Sequence, residues 1–137
     1  LTVFTNSVPV ALEIAGHNHI VTLLTGGQLT YPALTLTGYP AERTLEDIAA
    51  DVALVCPDGV DLRRGLFTND LTSVNLRRTM VNVARRVVAI APAQHIDRPA
   101  LANFAPMTGT HVIVTTANLG TAIQNDLRIR GIQLYLV

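Results

Sequence analysis

The sequence has no tryptophan, a single cysteine, no lysine among its ten basic residues, and only 4% aromatic residues. Each scarcity closes a route. Cys56 alone cannot form an internal disulfide, which favours a reducing compartment. Without lysine there is no Schiff-base or lysine-base chemistry, and with so few rings there is no stacking platform for single-stranded nucleic acid. Ten arginines balance ten acidic residues, so no positive field exists to hold this segment on a phosphate backbone, and direct DNA binding is not expected of it. Apolar runs such as Val87 to Pro92 and Val112 to Val114 fall far short of the roughly 18 to 20 residues a membrane span requires. Leu1 opens directly into a strand-like segment with no basic region or cleavage site, so no secretory signal is visible and the expected location is the cytoplasm.

What is present is hydrophobic material in short pieces. With 137 residues and 49% hydrophobic content the chain suits one compact domain around a single core. Strands are expected at Thr2 to Thr5, Ile20 to Leu24, Val52 to Cys56, Arg86 to Ala91, His111 to Thr115 and Ile132 to Val137. Most are almost continuously apolar, the pattern of strands covered on both faces, and the second, third and fourth of the longer ones (Val52 to Cys56, Arg86 to Ala91, His111 to Thr115) are expected among the central strands. Apolar residues three and four apart predict helices over Val8 to Ala15, Ala41 to Ala49, Ser73 to Ala84 and Leu119 to Arg130, the last closed by Gly131. Ser7 is a cap residue beside Pro9 in a first helical turn. The alternation predicts a doubly wound, mostly parallel α/β sheet with helices on both faces and a ligand site outside the carboxyl ends of its strands. Two long connections, Thr25 to Pro40 and Pro57 to Thr72, are either functional loops or hold short hairpins.

Three turns fall at predicted strand ends: Thr5-Asn6-Ser7, Thr25-Gly26-Gly27 and Asp58-Gly59. Each offers hydroxyl, amide or backbone N–H groups to an anion, and each is also explicable as a cap or a tight turn. No dinucleotide or P-loop fingerprint occurs. Asp58, Asp61 and Asp70 share a loop with Arg63 and Arg64, where a sugar phosphate or plain solvent would serve as partner, and Arg77 and Arg78 follow on the next helix. His17 and His19 lack further histidines at metal-ligand spacing and read as a surface turn; no metal or cofactor is expected. His95 and His111 read as packing residues, and Cys56 as a small buried hydrophobe.

Taken in order, Thr5-Asn6-Ser7, Thr25-Gly26-Gly27, Gly38, Asp51, Asp58-Gly59-Val60-Asp61, Gly65-Leu66 and Leu76-Arg77-Arg78-Thr79-Met80 resemble the effector-binding domain of DeoR-family repressors. The resemblance runs to Gly131-Ile132. It implies a fold similar to ribose-5-phosphate isomerase and glucosamine-6-phosphate deaminase, and a domain that senses phosphorylated sugars. It implies operator binding through a winged helix-turn-helix that precedes the domain. Where the family places a DxxK-like element, this chain has Pro92 and His95; Arg77 stands for its lysine, Ser73 for a glutamate and Thr116 for an aspartate. Its first strand and phosphate loop would lie before Leu1, so the chain is expected to be one effector domain over 1–137 lacking that strand-helix unit, with exposed apolar surface near Thr2 to Thr5.

On this reading the ligand-binding residues are Thr5, Asn6, Ser7, Thr25, Gly26, Gly27, Asp58, Gly59, Arg77 and His95. The expected partner is a phosphorylated sugar, the expected state a cytoplasmic homo-oligomer with no membrane contact and no catalytic residue. Two other readings stand beside it. One is a sugar-phosphate isomerase or deaminase with Asp58 or Asp61 as base, and the other a ligand-free oligomerisation module.

Overall fold

A computed structural model describes all residues, 1–137. The chain folds as two compact units, Leu1–Ile48 and Ala49–Val137.

In the first unit, β1 (Thr2–Thr5), α1 (Val8–Ile14) and β2 (Val21–Leu24) form a β-α-β unit whose strands pair in parallel, Thr2 to Val21 through Thr5 to Leu24. The hydroxyl of Ser7 accepts the N–H of Val10 at 3.4 Å, and Pro9 sits in the first turn where a missing N–H costs nothing. The connection from Thr25 holds a hairpin, β3 (Gln28–Thr30) with β4 (Thr35–Thr37), before α2 (Tyr39–Glu46). Thr30 and Thr35 reinforce the hairpin, the Thr30 hydroxyl donating to the Thr35 carbonyl at 2.9 Å. Ala11, Ala41 and Leu45 are buried, whereas Leu1, Leu12, Val21 and Leu24 are exposed.

In the second unit, β5 (Ala50–Val55), β8 (Ala84–Ile90), β10 (Val112–Thr115) and β11 (Gln133–Leu136) form a parallel sheet in the order β11-β10-β8-β5. Two helices, α3 (Val74–Asn82) and α4 (Thr121–Ile129), flank it. A second, antiparallel sheet is built from β6 (Gly59–Asp61), β7 (Gly65–Thr68) and β9 (Ala102–Ala105). The fold is thus the mixed α/β class expected, with parallel strands joined through helices. Alternate residues of the parallel strands, Val55, Val87, Ala89 and Ile113, join Val81 of α3, Leu127 of α4 and Val60, Leu66 and Phe104 of the antiparallel sheet in one buried cluster. That cluster is the unit's hydrophobic core.

Both long connections contain hairpins, β3-β4 and β6-β7, the second of the two alternatives the sequence left open. Two expectations need correction, and one element is new. Val52 to Cys56 is not central: β5 stands at one edge of the four-stranded sheet, with Val52 48% and Leu54 67% exposed. An apolar run marks a strand but not its rank in the sheet. Cys56, expected buried, is exposed, because it has left the last paired residue of β5 and begun the following turn. Finally β9 was not foreseen, since its four residues between Pro99 and Pro106 carry no periodic signal of their own.

Candidate functional site

The first unit brings six of the predicted residues together. Thr5 ends β1 and Leu24 ends β2 in register, and the Thr25 N–H donates to the Thr5 carbonyl at 3.1 Å. Thr5-Asn6-Ser7 and Thr25-Gly26-Gly27 therefore leave the carboxyl ends of two adjacent parallel strands side by side. The details are less open to a ligand than the letters suggest. The Asn6 amide donates to the Leu36 carbonyl at 3.1 Å, the Thr5 hydroxyl accepts the Ser7 N–H at 3.1 Å, and the Thr25 hydroxyl donates to the Gly26 carbonyl at 3.1 Å. Gly26 and Gly27 are both exposed at positive φ, +73° and +108°. At Gly27 a side chain would also strike the Thr37 carbonyl, 2.5 Å from where its Cβ would lie. This turn thus combines exposed backbone with a conformation only glycine holds without strain.

In the second unit the turns after β5 and β8 leave neighbouring strands, since Val55 pairs with Ala89. Asp58 follows β5, and its Oδ2 accepts both the Thr68 hydroxyl at 3.0 Å and the Asn69 N–H at 2.7 Å. This carboxylate ties the start of β6 to the end of β7. Gly59 is buried against the backbone of 98–100; a Cβ there would lie 2.5 Å from the Arg98 carbonyl and 2.7 Å from the Ala100 nitrogen. Arg77, on α3, donates through Nε to Ser73 Oγ at 3.0 Å and through Nη1 to the Cys56 carbonyl at 2.9 Å, with its guanidinium 5.5 Å from the centre of the Phe104 ring. Arg78 points elsewhere, to Asn75 and the Asn103 carbonyl. His95 is half-buried in the 3-10 turn after β8, and its Nδ1 has no hydrogen-bond partner.

Two acidic groups are electrostatically perturbed. The Asp61 carboxylate is exposed and held below its usual range by the N–H groups of Arg64 and Arg63, each at 2.8 Å. For Asp70, burial pushes the carboxyl up, but the hydroxyl and N–H of Thr72, the Ser73 side chain and the charge of Arg77 together outweigh it and bring the group down. A groove of about 410 Å³ lined by Asp61, Arg63, Asp97, Asp126 and Arg130 includes none of the predicted ligand residues. His17 and His19 meet edge to face at 5.8 Å.

Sequence reasoning missed Thr115, whose buried hydroxyl at the end of β10 has no partner. A threonine closing an apolar strand gives no signal in sequence, because its partners come from other segments.

A parallel-stranded α/β fold with polar and glycine turns at its strand ends is the architecture of a small-ligand-binding domain. The chain belongs to the DeoR C-terminal sensor domain family, whose model matches residues 1–117. It is 26% identical over 133 residues to a candidate aga operon transcriptional repressor of Escherichia coli O157:H7, covering 97% of this chain and 49% of that protein. It is 23% identical to the HTH-type transcriptional regulator GolR of Listeria innocua (96% of this chain, 52% of the relative) and 26% identical to the HTH-type transcriptional regulator GlpR of Haloferax volcanii (93% and 50%). The chain spans about half the length of the curated relatives it matches. No helix is long and apolar enough to cross a membrane.

Proposed function

We propose that this chain is the effector-sensing part of a transcriptional repressor and that it binds a small phosphorylated sugar. Binding shifts a conformational or oligomeric equilibrium by differential affinity for two states, and so sets the operator affinity of a winged helix-turn-helix elsewhere in the full-length protein. The observation that carries this reading is the juxtaposition of Thr5-Asn6-Ser7 with Thr25-Gly26-Gly27 at the ends of β1 and β2, with exposed glycine backbone beside hydroxyl and amide groups. Family membership and the regulator relatives support it. The protein acts in the cytoplasm as a homo-oligomer, without a cofactor.

Catalysis is disfavoured by the carboxylates themselves. Asp61 is held ionised by two N–H groups, which makes it a weak base, and Oδ2 of Asp58 already accepts two hydrogen bonds. One observation favours a second reading, a ligand-free module: Asn6, Asp58 and Arg77 all spend polar groups on the protein's own backbone or side chains.

A thermal-shift screen of the full-length protein against sugar phosphates, followed by operator binding measured by fluorescence anisotropy, separates the readings. Stabilisation by one compound together with a change of at least fivefold in operator affinity supports the sensor. Operator binding that is intact while no compound stabilises the protein supports the ligand-free module.

A further inference from the structure

Thr110 stands just before β10, Ile132 just before β11 and Arg130 at the carboxyl end of α4, so these residues mark the amino end of the parallel sheet. That end is opposite to the turns that follow β5 and β8. Two grooves meet there, one of about 410 Å³ and one of about 290 Å³, and Arg63 and Arg130 line both. Every lining residue belongs to the second unit. The remaining walls differ in chemistry. The larger groove carries the carboxylates of Asp61, Asp97 and Asp126, whereas the smaller is walled by Met107 and Ile132, both buried, and by Thr110.

The protein itself uses these polar groups only in part. Arg130 pairs with Asp126 through Nε at 2.9 Å, which leaves its two terminal nitrogens, and the Arg63 guanidinium makes no hydrogen bond or ion pair. Oδ1 of Asp61 accepts the Arg63 and Arg64 N–H groups, which leaves Oδ2. The carboxylates do not converge as ligands of a metal ion would. A phosphate dianion would meet three carboxylates and the negative carboxyl end of α4. Two arginines beside three carboxylates instead suit a ligand that carries both signs, and the smaller groove suits a hydrocarbon group. Because Arg63 and Arg130 belong to both grooves, the ligand's anion lies between its cation and its apolar part. An α-amino acid carries a carboxylate, an ammonium and a side chain on one carbon, and an arginine fork matches a carboxylate. The grooves are of the size that takes small molecules, roughly 300 to 1,000 Å³.

We infer that this double groove is a binding site for an α-amino acid with an aliphatic side chain. Arg63 and the terminal nitrogens of Arg130 take the carboxylate, Asp61 and Asp97 the ammonium, and Met107 and Ile132 the side chain. The site goes beyond the sugar-phosphate reading and does not depend on it. A ligand held there joins the β6-β7 turn to the carboxyl end of α4, and binding is read as stabilisation of the folded protein.

The test is calorimetry on full-length protein with L-leucine, L-methionine, glycine, inorganic phosphate and 4-methylpentanoate, which is leucine without its ammonium. Leucine or methionine is expected to bind with a Kd of about 1 mM or tighter, and glycine and 4-methylpentanoate at least tenfold more weakly. Arg63→Gln and Asp97→Asn change exposed residues, and asparagine tolerates the left-handed backbone of Asp97 at φ +63°. Both variants should keep the wild-type melting temperature, and each should lose at least tenfold for the preferred amino acid. Affinity within twofold of wild type in either variant overturns the site. So does the absence of binding of both amino acids to wild type up to about 10 mM. Equal affinity for 4-methylpentanoate, or displacement of the amino acid by inorganic phosphate, would mark a plain anion pocket and overturn it as well. Any sugar phosphate that binds wild type should bind Arg63→Gln equally; its loss there would give the groove to the sugar phosphate and remove the amino acid. Should a variant melt early, the comparison of leucine with glycine and 4-methylpentanoate on wild type decides alone.

Discussion

Arg77 donates from Nη1 to the carbonyl oxygen of Cys56 at 2.9 Å, so a side chain of α3 holds the end of β5 where the Pro57-Asp58 turn begins. The same guanidinium reaches Ser73 in the preceding turn and faces Phe104 of β9. Three elements converge on one residue.

Arg77→Ala is therefore expected to lower stability by about 1.5–3 kcal/mol, the scale of a hydrogen bond made by a charged group. Arg78→Ala, losing only long contacts of 3.3 and 3.4 Å at the surface, should stay within about 0.5 kcal/mol. Urea denaturation of both variants decides the matter, and equal losses would remove Arg77 from this role.

Asp58 and Thr68 are expected to be coupled. Thr68 is fully buried, so Asp58→Ala leaves its O–H without an acceptor, although its oxygen still takes the Asp70 N–H at 3.1 Å, and should cost about 1–3 kcal/mol. In a double-mutant cycle with Thr68→Val, a coupling energy of about 0.5 kcal/mol or more is expected. Strict additivity would show that the 3.0 Å contact contributes nothing.

Gly59→Ala should destabilise by about 1–3 kcal/mol or more, because its Cβ would meet rigid backbone at 98–100 rather than a side chain able to move. Gly16→Ala is the control, with nothing within 4 Å of the added carbon, and should change stability by less than about 0.5 kcal/mol. Thermal melts of the two proteins side by side give the comparison.

Acid should act partly through Asp61. Its folded pKa is depressed by the Arg64 and Arg63 N–H groups, so its contribution is complete above the unfolded value of about 3.9 and is lost as pH falls through the lower folded value. Asp70 has the same sign. Chemical denaturation of Asp61→Asn should therefore show a shallower fall in stability below about pH 4 than wild type. A steeper fall would contradict the direction of the shift.

Much was legible from sequence because it rests on local rules. The run of strand and helix starts, Ser7 as a cap beside Pro9, and the mixed α/β class all follow from propensity, capping chemistry and the spacing of apolar residues, which act within a few positions along the chain. That the six candidate residues of the first unit are neighbours was also predictable, since a β-α-β unit with parallel strands places its two strand ends together.

Tertiary structure alone decided the rest. Nothing in Val52 to Val55 announces an edge strand, since edge or centre depends on which distant strands pair with it. β9 exists because β7 offers it a partner, and Gly59 is required because the backbone of 98–100, some forty residues on, passes against it. Asp58 and Arg77 read as candidate ligand groups from the sequence, and only the fold shows that Oδ2 of Asp58 is taken by Thr68 and Asn69, and Nε and Nη1 of Arg77 by Ser73 and Cys56. Thr115 was invisible for the converse reason: a hydroxyl's lack of a partner is a property of every segment packed around it, which no local stretch of sequence specifies.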